Sequence, residues 1–256
     1  MASDGSVHGQ ATQALAHALG RRGTPLTPDE VKGWFDKASE GVQLDGTLDE
    51  ADITEILASS QKGGGRGAEV TRKNLARWFE VPFDEFARTK PEHLEPEVLI
   101  RHIHLENQFR QWLEEWNYEV AVGEDLEGES GVEFTCDVYG RLDTLHGKFE
   151  VCINFVCDDP PSTDRVKSML ESLEAYATHK SEFKEGDLYI VATPFSFTNQ
   201  ANAALARQAD EEKYTVVKLE GDDLWQLQSA RDSQSRLELL MEHVEKSVLT
   251  KRGRVH

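Results

Sequence analysis

From Ile100 onward the spacing of apolar residues changes repeatedly, and each change of period predicts a new element. Leu105, Phe109, Trp112, Leu113 and Trp116 recur at helical spacing, so the stretch Ile100–Trp116 reads as an amphipathic helix. The segments Val132–Val138 and Lys148–Val156 alternate instead, as half-buried strands do. Gly140–Gly147 between them holds two glycines and short polar residues, and reads as a hairpin connection. Helical spacing returns with Val166, Met169, Leu170, Leu173 and Tyr176. A strand over Leu188–Thr193 follows, then a helix opened by Thr198 with Ala201, Ala204 and Leu205 on one face, then a strand over Tyr214–Leu219. The chain closes on one long amphipathic helix, Leu224–Leu249, and a small basic tail. Helices alternating with strands in this way predict an α/β fold, a sheet covered by helices on both faces.

The first ninety residues have a different texture. Residues 1–24 read as disordered or as one short helix, and residues 25–92 as a small all-α domain. Pro28 at a first helical position and the capping box of Thr47 and Glu50 mark two helix starts. Gly63–Gly67 lacks the Gly-Lys-Ser/Thr of a phosphate loop, so it reads as a flexible connection. The helix that follows carries Arg72, Lys73, Asn74 and Arg77, a basic cluster in an acidic chain. A helix-turn-helix recognition helix has this character, and so does an ordinary solvated face.

The candidate chemistry lies on the two alternating strands. Asp137 and Glu150 put one carboxylate on each, and two carboxylates on neighbouring strands suit one divalent cation such as Mg²⁺. Alternation places Lys148, Glu150, Cys152 and Asn154 on one face and Phe149, Val151, Ile153 and Phe155 on the other. His102 and His104 stand two apart on the preceding helix, point to different sides, and read as surface or interface histidines.

An acid on the first helix (Glu106), acids on a strand pair (Asp137, Glu150), a helix after the second strand, and the run Ile190–Ala206 with its Thr193 strand end and Phe197-Thr198 helix start together resemble the PD-(D/E)xK nuclease superfamily. Within it the chain is similar to Mrr-type restriction endonuclease domains and Holliday-junction resolvases. The resemblance implies a restriction-endonuclease-like mixed sheet over residues 98–225, followed by the C-terminal helix and basic tail of 226–256. It also implies DNA as partner, Mg²⁺ as cofactor, and Glu106, Asp137 and Glu150 as catalytic positions. One position departs. The family's second strand reads acid, any residue, lysine, and here Cys152 stands at the lysine. A thiol cannot supply the positive charge that stabilises a transferring phosphoryl group. Lys148, two residues before Glu150, is the nearest substitute, so the expected domain is catalytically weak or inactive.

Composition changes this picture in two ways. The net charge of −19, from 47 acids against 28 bases, disfavours polyanions at ordinary salt. Acids dispersed along the whole chain resemble the proteins of salt-in halophilic archaea, where the Debye length falls to about 3 Å and net charge ceases to repel at a distance. The three cysteines, Cys136, Cys152 and Cys157, lack metal-site spacing and read as buried small residues in a reducing, cytoplasmic setting. No apolar run is long enough for a membrane helix. Three functions remain open: a DNA-binding protein with a degenerate nuclease-like domain, an active metal-dependent endonuclease, and a non-catalytic regulatory subunit. The C-terminal helix is available in any of them for a homodimer or a protein partner.

Overall fold

The computed structural model describes residues 33–42 without 35, and then 96–127, 133–145, 147–179, 187–208 and 215–253. The chain divides into two compact units, Met1–Asn107 and Gln108–His256. The expectations for residues 1–24, for most of the helical domain 25–92, and for the basic helix of Arg72, Lys73, Asn74 and Arg77 lie outside the described residues.

In the first unit, Gly33–Ala38 is largely helical and ends against the start of α1 (Pro96–Glu115). The Arg101 guanidinium donates to the carbonyls of Lys37 (2.7 Å) and Ala38 (3.2 Å), satisfying acceptors that a helix end leaves open. The Lys37 ammonium donates to Glu97. Burial pushes the Glu97 carboxyl up, but the Lys37 hydrogen bond and the charges of Lys37 and Arg101 outweigh it and hold the group below its ordinary value. α1 stops at Asn117, whose φ of 65° lets the Tyr118 N–H turn back to the Leu113 carbonyl at 3.0 Å.

The second unit is a five-stranded mixed sheet in the order β1 (Glu119–Glu127), β2 (Glu133–Thr144), β3 (Gly147–Phe155), β4 (Leu188–Ala192), β5 (Thr215–Leu219). β1, β2 and β3 form an antiparallel meander, while β4 and β5 run parallel to β3. Parallel neighbours need crossovers, supplied by α2 (Thr163–His179) and α3 (Asn199–Gln208). Their apolar stripes, Val166, Met169, Leu170 and Leu173 with Ala201 and Leu205, pack on Cys152, Tyr189, Val191 and Val216. On the opposite face Phe109 meets Phe155 with ring centres 5.4 Å apart, and Trp112 lies under the Arg236 guanidinium at 4.8 Å. Each such buried aromatic contributes about 1.5–3 kcal/mol over its exposed state. The α/β expectation, a mixed sheet flanked by helices, is met.

Three boundaries differ from the sequence reading. β1 was not foreseen, because Glu124, Asp125 and Glu127 interrupt its alternation. The presumed connection Gly140–Gly147 is mostly strand, paired up to Thr144 and Gly147. The C-terminal helix is two helices, α4 (Gly221–Gln228) and α5 (Ser233–Gly253). Asp232 ends the break by accepting the Ser235 N–H at 2.8 Å, as an N-cap does. Gly221 is required at its position. A Cβ there would stand 2.6 Å from the Pro194 carbonyl oxygen.

Candidate functional site

The site expected from the sequence sits on β2 and β3, so the register of that pair decides it. Arg141 faces Glu150, Tyr139 faces Cys152, and Val138 faces Ile153. A connection of eight residues would have set Asp137 against Glu150. The tight turn moves the pairing by four residues, and Asp137 lies one residue beyond the Val138–Ile153 pair. At about 3.3 Å per residue, Asp137 and Glu150 are about 13 Å apart along the strands. Two carboxylates at that separation cannot share an ion with bonds of about 2.0–2.6 Å. The paired-acid arrangement is therefore not formed.

Each acid has a local role. Beyond Val138 the β2 backbone leaves β3, and two side chains take the place of its carbonyls. Asp137 Oδ2 accepts the Phe155 N–H at 2.8 Å, and Cys136 Sγ accepts the Ile153 N–H at 3.2 Å. Opposite Asp137 on the other side, Gly123 of β1 adopts a φ of 65°, between the Val122–Val138 and Glu124–Cys136 pairs. The irregularity reverses the alternation of β2. Cys136 and Tyr139, three residues apart, both meet the core under α2 and α3. Asp137 is buried in this fork. Glu150 lies midway along β3, where its N–H donates to Asp187 Oδ1 at 2.9 Å. That aspartate precedes β4 and is buried.

The remaining positions are also dispersed. Lys148 is exposed near the hairpin tip, opposite Asp143 and two residues further from Asp137 than Glu150 is. Cys152 is fully buried against α2 and α3. Glu106 is a buried acid on α1 with His102 Nε2 3.7 Å away, both within the first unit. His102 and His104 are buried, so of the surface or interface placement expected of them the surface one is not met. The cysteines are free and buried as expected. Burial, and then the neighbouring Cys152, push the Cys136 thiol well up, which leaves it protonated and inert.

Asn154 is the residue that sequence reasoning missed. Its Nδ2 donates to the Thr135 carbonyl at 3.1 Å, interlocking with the Asp137–Phe155 bond. Counting inward from a Thr144–Gly147 pair would have identified it. The acid–x–lysine pattern read at this level of the hairpin becomes Asn154, Phe155 and Val156, with neither acid nor lysine. Among the described residues no group of three or more His, Cys, Asp or Glu is placed to hold a metal ion. No described helix is long and apolar enough to cross a membrane. Comparison with protein-family models, curated proteins and solved structures gave no match.

Proposed function

We propose that the chain is a DNA-binding protein whose restriction-endonuclease-like domain does not cleave DNA. The resemblance of the sequence to PD-(D/E)xK nucleases is supported by the element order: a helix, a three-stranded meander, a crossover helix and a parallel strand. The observation that carries the non-catalytic reading is the state of the Asp137 carboxylate. It is buried, and one oxygen holds the Phe155 N–H. Glu150 is out of reach, and no lysine stands in the inner half of the β2–β3 pair. Metal-assisted hydrolysis requires an ion bound beside the scissile phosphate and charge stabilisation of the leaving oxygen. These residues provide neither.

The test incubates the full chain with supercoiled and branched DNA in KCl, with Mg²⁺ or Mn²⁺ present. DNA retained in a gel shift without strand cleavage is the expected result. Cleavage that persists through purification and disappears in a folded Asp137→Asn variant would establish an active endonuclease instead. Absence of DNA binding at every salt concentration would move the assignment to a protein-binding subunit.

A further inference from the structure

We draw no further inference here: the strongest candidate, the neighbouring N-termini of α2 and α3 joined through the Thr163 and Thr198 hydroxyls at 2.7 Å, rests on helix ends alone, and nothing among the described residues shows what it would hold.

Discussion

If Asp137 holds the β2–β3 fork together, Asp137→Ala will damage the fold before it damages any activity. The substitution strips the acceptor from the Phe155 N–H, now bonded at 2.8 Å in a buried setting. A buried donor left without a partner costs about 1–3 kcal/mol, with the upper end expected because the lost acceptor carries a charge. Taking about 2 kcal/mol, a chain of this size should melt about 4–8 °C lower. Asp137→Asn keeps an oxygen in place and should lose about half as much, since only the charge assistance goes. Trp112 is buried beneath Arg236 and reports on the same unit, so urea titration followed by tryptophan fluorescence reads the effect directly. The amide of Phe155 should also lose hydrogen-exchange protection ahead of its neighbours. A stability change of Asp137→Ala below about 0.5 kcal/mol, the range of ordinary surface substitutions, would refute the structural role and revive a catalytic one.

Cys152→Lys, which the family pattern recommends as a repair, should instead destabilise the domain by more than about 3 kcal/mol. An ammonium would be buried among Tyr189, Val191 and Leu173; soluble expression and a melting curve against Cys152→Ala decide it. Gly221→Ala should cost about 1–3 kcal/mol, because its methyl group would press on the Pro194 carbonyl; an unchanged denaturation midpoint would show that the loop yields freely. Glu97 is held below its ordinary value, so its contribution to stability is fully present above the unfolded carboxylate range near about 4.3 and is lost as pH falls through its lower folded value. Glu97→Gln should flatten the acid limb of the stability–pH curve, and a limb of unchanged steepness would remove Glu97 as its source. Asn154→Asp should set a second carboxylate level with Asp137 and destabilise the fold at neutral pH by like-charge repulsion. The loss should ease when Mg²⁺ is added, as thermal melts with and without the ion would show.

The helices and inner strands were legible because their burial is one-sided and strong. Val166, Met169, Leu170 and Leu173 form a stripe that can only face a sheet, and Ile190–Ala192 is apolar on both faces, as a central parallel strand must be. β1 was not legible, since Glu124, Asp125 and Glu127 break the alternation of its sequence. The site failed on a single issue, the length of a turn. Gly140 looks like a loop residue in sequence, but it serves the strand: its bare Cα admits Leu113 and Tyr118, whose atoms would lie 3.0 and 3.2 Å from a Cβ. Reading it as loop shifted the expected pairing by four residues and matched two acids that stand four residues out of step on β2 and β3. Local pattern identifies strands well, whereas register depends on one turn and on packing against distant helices.

The fork at Asp137 makes the β2–β3 seam a joint of two materials. Towards the tip it is held by peptide groups, which every residue type supplies, so substitutions there change the surface and leave the joint intact. Towards Phe155 it is held by one thiol, one carboxylate and one side-chain amide, which only particular residues supply. Drift in sequence can therefore slacken the inner half of the hairpin without touching the outer half. An aspartate at this position would then persist under selection for the shape of the sheet alone, long after any reaction had ceased to depend on it.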